Sequence, residues 1–171
     1  MMGAQRTGGG RARRAARRKW ALFGLVATGV LVADLGTKAA VQWQLQLHEL
    51  VPLLGDYVRL TLLYNPGAAF GISVGEHSRV VFLALTVVAL AVMVAMVRAT
   101  PLAHRLRHLA LSLVAGGALG NLWNRIANPR GVTDWIDVGV GAARWPAFNV
   151  ADAAITTGAI LLVVSLSRDE E

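Results

Sequence analysis

The feature that most constrains this sequence is a set of long stretches that are almost wholly apolar. Residues 80–97 read VVFLALTVVALAVMVAMV and contain no charge. At about 1.5 Å per residue, an α-helix of about 20 residues crosses the roughly 30 Å of hydrocarbon in a bilayer. An uncharged stretch of this length is typical of a spanning helix, so we predict an integral membrane protein.

Three further stretches fit the same interpretation. Residues 20–41 are too long for the apolar part of a cleaved signal peptide, and they contain Asp34 and Lys38 instead of a small-residue cleavage site. Residues 106–123 carry the run AGGALGN, which favours close helix packing. Residues 149–166 complete the set. The predicted fold class is an all-α membrane protein with four transmembrane helices.

Composition narrows the possible chemistry and the domain organisation. The chain has 171 residues, which predicts one domain, and it has no cysteine, which excludes disulfides and thiolate chemistry. Seven of its 17 basic residues precede Trp20, so the net charge of +7 is local and nucleic-acid binding is not predicted. We interpret residues 1–19 as a disordered cytoplasmic tail on lipid head groups, 20–166 as the membrane domain and 167–171 as a second cytoplasmic tail.

The distribution of Lys and Arg predicts the orientation. Basic residues are enriched in cytoplasmic segments, and they concentrate in the amino-terminal tail and between the second and third spans, at Arg98, Arg105 and Arg107. Both termini are therefore predicted to be cytoplasmic, and residues 42–79 and 125–148 to lie outside. The alternation in DYVRLTLLYN and the turn residues in NPGAAFG predict a small extracytoplasmic β-containing platform.

This topology brings polar residues from several segments to the outer interface. An ionisable group inside a span costs at least a few kcal/mol unless it faces the bundle interior or water, so such groups are candidates for function. Asp34 and Lys38 could equally form a plain i, i+4 ion pair, and an acid at a helix amino terminus is favoured without any catalytic role. The cluster comprises Asp34, Lys38, Asn65, Asn121, Asn124, Asn149 and Asp152.

Five motifs together resemble those of bacterial lipoprotein signal peptidase, signal peptidase II, over about four-fifths of the chain. In order they are DLGTK at 34–38, YNPGAAFGI at 64–72, GGALGNLWNRI at 116–126, VTDWIDV at 132–138 and FNVADAAI at 148–155. The resemblance implies a membrane aspartyl endopeptidase that removes signal peptides from diacylglyceryl-modified prolipoproteins, cleaving before the lipid-modified cysteine. It implies the bacterial cytoplasmic (inner) membrane, an active site near the outer face, and lipids and diacylated prolipoproteins as partners. We expect a monomer without cofactor or metal.

The resemblance also implies catalytic positions. Asp152 matches the aspartate of FNxAD, and Asn124 stands where GNxxDR has an aspartate. Acid–base proteolysis needs one carboxylate to take a proton from water and one neutral carboxyl to supply the acid. An asparagine cannot pass a proton, so activity is expected to fall by about 10²- to 10⁴-fold. We do not expect Asp134 or Asp137 to substitute.

Supporting roles follow from the same match. Asn121 and Asn149 are expected to line the site, and Arg125 to lie near lipid head groups or to bond neighbouring loops. Two other functions stay open at this point: a catalytically impaired relative that binds lipoprotein precursors, and a small transporter or channel. The remaining supporting residues are Asp34, Lys38, Asn65 and Ala151.

Overall fold

The computed structural model describes residues 6–66 and 75–168 of the chain. These residues form four α-helices and one four-stranded antiparallel sheet of order β1-β2-β3-β4, as predicted in outline. The elements are α1 Arg6–Gln44, β1 Leu50–Leu54, β2 Val58–Asn65, a short 3-10 helix Gly75–His77, α2 Ser78–Ala99, α3 Arg105–Ala127, β3 Val132–Val140, β4 Ala143–Arg144 and α4 Val150–Ser167.

Within the described residues, three helices are long and apolar enough to cross a membrane: Arg13–Gln44 of α1, α2 and α4. Helix α3 is not among them, in contrast to the four predicted spans. It contacts each of the other helices. Apart from Leu111, the side chains that it buries are small or polar, because they face neighbouring helices and not lipid.

The basic segment before Trp20 differs from its predicted disorder, because α1 is helical from Arg6 onward. Arg and Ala rank among the strongest helix formers, and this segment is rich in both. Lys19 also ties the segment to the bundle, since its Nζ donates to the carbonyl oxygens of Arg98 at 3.3 Å and Thr100 at 3.1 Å. Residues 1–5 lie outside the described part.

Glycines let α3 approach its neighbours closely. A Cβ on Gly116 would overlap the backbone of Ala27 in α1, and one on Gly117 would overlap the carbonyl oxygen of Ala151 in α4. This is the close approach that the run AGGALGN predicts. Most of the turn predicted from NPGAAFG, from residue 67 onward, falls outside the described residues. Close approach matters because it brings the polar side chains of three helices within hydrogen-bond distance of one another.

The sheet places β3 beside the polar side chains of these helices. Strand β3 pairs with β2, so that Asp134 lies opposite Leu63 next to an irregularity in the register. An isolated bridge joins Ile136 of β3 to Phe148, directly before α4. The beginning of α4 is therefore held against β3.

Candidate active site

The first turn of α4 is stabilised by a capping box that involves Asp152 itself. Asn149 is the N-cap, and its side-chain oxygen accepts the N–H of Asp152 at 2.9 Å. In return, the Asp152 carboxylate accepts the N–H of Asn149 at 3.2 Å. An N-cap asparagine with an acidic residue three positions later satisfies two otherwise unpaired helix N–H groups. The backbone therefore fixes the position of this carboxylate.

Asn149 also contacts a second carboxyl group. Its side chain is fully buried, and its Nδ2 donates to Asp134 Oδ1 at 2.7 Å. Weaker contacts from the same Nδ2 reach Asn121 Oδ1 and the carbonyl oxygen of Thr133, both at 3.3 Å. A single amide thus joins Asp134 on β3 to Asp152 on α4.

Asp134 is a buried acid with an altered proton affinity. Its side chain is 5% exposed, and its Oδ2 accepts Asn65 Nδ2 at 3.3 Å. Burial raises the pKa of Asp134, and the neighbouring charge of Asp152 raises it further, to about 7, although the hydrogen bonds from Asn149 and Asn65 act in the opposite direction. Near neutral pH this group can therefore carry a proton.

Asp137, three residues further along β3, has a different environment. Its carboxylate pairs with Arg59 at 2.7 Å and Arg144 at 3.0 Å. Burial would raise the pKa of Asp137, but the hydrogen bonds and charges of Arg144 and Arg59 outweigh it and lower that pKa. Asp137 is thus a fixed anion that holds the sheet together.

A buried ion pair in α1 supports Asp152 through α3. Lys38 Nζ lies 2.7 Å from Asp34 Oδ2, with both side chains almost fully buried. Lys38 also donates to Asn121 Oδ1 at 2.9 Å, and Asn121 Nδ2 donates to Asp152 Oδ1 at 2.8 Å. The pair is therefore one end of a chain of hydrogen bonds from α1 through α3 to α4.

Asp34 makes a second contact that fixes α4. Its Oδ1 accepts the N–H of Ala151 at 2.9 Å. That N–H belongs to the first turn of α4, where backbone donors have no partner within the helix. Gly120 makes room for this arrangement, because a Cβ there would overlap the Asp34 carboxylate.

The contacts of Asn124 differ from those expected of a catalytic partner for Asp152. Asn124 is 8% exposed, and its Oδ1 accepts the backbone N–H of Thr133 at 3.3 Å. Within the described residues, no hydrogen bond joins Asn124 to Asp152. The hydrogen bond of Asn124 instead joins the end of α3 to the start of β3 at Thr133, the residue before Asp134.

Arg125 lies beside the cluster. Its guanidinium carbon is 5.7 Å from the centroid of the Phe82 ring, and its charge interacts with both Asp152 and Asp134. The backbone oxygen of Arg125 accepts Arg79 Nε at 2.7 Å. The backbone oxygen of Arg125 thus bonds α2, while the role expected of its side chain stays a prediction.

Most of the predicted cluster is brought together, and one member was missed. Seven predicted residues form the connected network around Asp152, whereas Asn124 reaches it only through β3. Asp134 is the residue to which sequence reasoning gave no catalytic role. The available signal was two aspartates in one short strand, but nothing in VTDWIDV reveals that Arg59 and Arg144 neutralise only the second. The connected residues are Asp34, Lys38, Asn65, Asn121, Asn149, Ala151 and Asp152.

The arrangement has the elements needed for acid–base chemistry. Two carboxyls that interact electrostatically ionise at different pH values, so one can be a base while the other retains a proton. Asp152 is half-buried and accepts two N–H donors, while Asp134 is buried and has a raised pKa. Such a pair can activate water and protonate a scissile group without a metal ion or a covalent intermediate.

The chain matches a known protein family over most of its length. A family model described as signal peptidase (SPase) II matches residues 26–168. A lipoprotein signal peptidase of Pelotomaculum thermopropionicum is 41% identical over 151 residues, which cover 88% of this chain and 93% of that protein. One from Geobacter metallireducens is 38% identical over 150 residues, covering 87% and 92%.

Solved structures share the fold. One described as a bacterial membrane enzyme structure at 2.3 Å resolution has a TM-score of 0.80 at 28% identity, covering 88% of this chain and 90% of that one. A second, described in the same words at 1.9 Å, has a TM-score of 0.76 at 28% identity over 85% and 92% of the two chains.

Proposed function

The chain belongs to the signal peptidase II family of aspartyl proteases, and from this premise we propose that it removes signal peptides from diacylglyceryl-modified prolipoproteins. Cleavage falls directly before the lipid-modified cysteine. The relatives named lipoprotein signal peptidase support the substrate class, and the paired carboxyls support the reaction type. No cofactor enters the proposed reaction.

The observation that carries the mechanism is the bridge that Asn149 makes between Asp134 and Asp152. In the proposed reaction, the Asp152 carboxylate takes a proton from the attacking water. Asp134, whose pKa of about 7 leaves it protonated at and below neutral pH, donates a hydrogen bond to the scissile carbonyl oxygen. As the tetrahedral intermediate collapses, the Asp134 proton passes to the leaving amine nitrogen, and Asp152 retains the proton that it took from water.

We assign Asp134, not position 124, as the partner of Asp152. Three observations favour this choice: Asp134 interacts electrostatically with Asp152, shares Asn149 with it, and lacks an ion pair with any described Lys or Arg. The contact of Asn124 with Thr133 N–H supports a role in holding β3. On this assignment an asparagine at 124 does not remove the general acid.

The other site residues are proposed to position this pair. Asn149 and Asn121 orient the two carboxyls, and Asn65 holds Asp134 from β2. Lys38 and Asp34 hold Asn121 and the Ala151 N–H, so they act through other groups. Arg125 contributes a positive charge that limits the repulsion between the two acids.

The proposed setting is the bacterial inner membrane, with a monomer that crosses it four times and has both termini in the cytoplasm. Residues 20–166 would form the peptidase domain and 167–171 a short tail. The position of α3 among the other helices supports its crossing despite its lower hydropathy. Exposed Trp43 and Trp145 at the sheet end support an interfacial site near the outer face.

Cleavage of a synthetic prolipoprotein peptide tests the proposal. Purified protein should cleave a diacylated peptide and leave the same peptide without lipid intact. Asp152→Asn and Asp134→Asn should each lower kcat/KM by at least about 100-fold. Asp137→Asn is the matched control, because it removes a carboxylate from the same strand without touching the pair, and it should keep most of the activity.

Thermal midpoints in detergent, measured for all three variants, separate lost chemistry from lost folding. If Asp134→Asn kept wild-type turnover, the assigned acid would be wrong, while the family membership would stand. If Asp152→Asn kept it, the whole site would have to lie elsewhere.

A further inference from the structure

A cavity lies far from the catalytic pair, between the first half of α1 and the α2–α3 connection. Its volume is about 350 Å³. Four of its lining side chains are basic or can become so, and two are leucines. They are Arg18, Lys19, Arg105, His108, Leu22 and Leu102.

We propose that this cavity binds the phosphate head group of an anionic phospholipid, such as phosphatidylglycerol, in the leaflet opposite the active site. The inference goes beyond the proposed peptidase reaction and assigns a separate lipid-binding site. It rests on the position of the cavity, the unpaired charges in it and a buried nitrogen without a partner.

The position matches the opposite membrane surface. Lys19 and Lys38 lie on the same helix, 19 residues apart, which is about 28 Å along the helix axis. The hydrocarbon core is about 30 Å thick, so a cavity at Lys19 lies at the far boundary when Lys38 lies near the active-site boundary. This is the depth of lipid phosphates.

The charges in the cavity are not neutralised by the protein. Among the described residues, Arg18 and Arg105 form no ion pair or hydrogen bond through their guanidinium groups, and no Asp or Glu lines the cavity. Lys19 is held in place by the carbonyl oxygens of Arg98 and Thr100. Three cations around one cavity, of which Lys19 is held by backbone carbonyls, favour an anionic occupant.

His108 supplies an independent indication. It is 3% exposed, and its Nε2 contacts the carbonyl oxygen of Pro101 at 3.1 Å, so that nitrogen must donate. Its Nδ1 is buried and has no hydrogen-bond partner among the described residues. A buried polar atom of this kind is normally satisfied. A glycerol head group offers both a hydroxyl donor for the neutral ring and phosphate acceptors for the charged ring.

The leucines favour a lipid over a free anion. Leu22 and Leu102 are each 45% exposed beside the cations. A phosphate ion would leave these apolar surfaces in contact with water, whereas the glycerol and first methylene groups of a phospholipid would cover them. The occupant thus has a phosphate at one end and an apolar part at the other.

Native mass spectrometry of the full chain from detergent micelles tests the proposal. Phosphatidylglycerol should bind at least about fivefold more tightly than phosphatidylcholine of the same chains, since each contacting cation contributes about that factor. Arg18→Gln and Arg105→Gln should each weaken phosphatidylglycerol binding about threefold or more. Arg17→Gln is the matched control, because it removes the same charge from the adjacent, non-lining position and should change binding less than twofold.

Several results would overturn the assignment. These are equal binding of the two lipids, an equal loss in Arg17→Gln, or full competition by about 10 mM inorganic phosphate, which would indicate a simple anion site. A gain of tenfold or more on replacing Asp169, Glu170 and Glu171 by their amides would make the chain's own carboxyl end the occupant. Peptide cleavage is not a readout here, so failure of the lipid site leaves the peptidase proposal unaffected.

Discussion

At the residue scale, the dual hydrogen-bonding character of Asn149 decides how the two acids can coexist. Its carbonyl oxygen accepts from the Asp152 N–H while its amide nitrogen donates to Asp134. An aspartate could accept but not donate, and it would add a third negative charge, whereas a leucine could do neither. The amide therefore holds two acids close together without adding to their repulsion.

The sequence resemblance places the general acid at position 124, whereas the structure favours Asp134, and the two assignments predict different effects of Asn124→Asp. We expect Asn124→Asp to give no gain in kcat/KM above about threefold, because a missing general acid would restore about 10²- to 10⁴-fold and Asn124 contacts Thr133 N–H instead. Cleavage of the diacylated peptide by both forms measures this. A rise of tenfold or more would return the acid role to position 124.

The raised pKa of Asp134 predicts the pH dependence. If protonated Asp134 is the acid, kcat/KM should fall about tenfold per pH unit above about 7. Asp137→Asn should show the same fall in kcat/KM at alkaline pH, since Asp137 is a separate ion-paired group. A rate that stays constant from pH 6 to pH 9 would contradict the assignment.

The same proton has a consequence for stability. Between pH 3.8 and about 7 the folded protein retains the Asp134 proton and the unfolded chain does not. The contribution of Asp134 to the free energy of unfolding therefore falls as pH rises through this range and is fully lost above it.

At the element scale, contacts between helices position the site, and glycines in α3 permit them. We expect Gly120→Ala to lower the thermal midpoint and to reduce activity at least about tenfold. The added Cβ would overlap the Asp34 carboxylate, which holds Lys38 and the Ala151 N–H. Overpacking of this kind costs about 1–3 kcal/mol.

Gly36→Ala is the matched control for that change. Gly36 lies in α1, and a Cβ there meets no atom within 4 Å. Because alanine is a better helix former than glycine, this variant should be neutral or slightly more stable. Equal losses in both variants would mean that the close contact at Gly120 is unimportant.

Sequence reasoning found the helices and most of the site because their signals are local. Apolar length indicated α2 and α4, and intramembrane polarity indicated Asp34, Lys38 and Asp152. The role of Asp134 depends on long-range pairing, since the bridge of Ile136 to Phe148 holds β3 beside Asn149. The helical start of α1 lacks apolar periodicity, so this sequence signal does not indicate a helix there.

At the scale of the whole molecule, α3 determines whether the catalytic sheet and the α2–α3 connection lie on opposite sides of the membrane. The chain contains no cysteine, so single cysteines can be introduced. We expect a membrane-impermeant maleimide to label Ala142→Cys, in the β3–β4 turn, in intact spheroplasts. Ala103→Cys, in the exposed α2–α3 connection, should react only after lysis.

Retained peptide cleavage in both cysteine variants is the control for correct folding. Labelling of both positions in intact cells would contradict a crossing by α3 and would reduce the number of spans to the three with sufficient hydropathy.

The capping box at the start of α4 fixes the direction of attack before any substrate arrives. A carboxylate offers about four lone-pair sites, and in Asp152 two of them are occupied by N–H groups of Asn121 and Asn149. In the proposed reaction the nucleophilic water must use one of the two sites that remain, one on each oxygen, which restricts the directions from which it can attack the peptide bond. An inhibitor hydroxyl should therefore reach Asp152 only along the directions of these two sites.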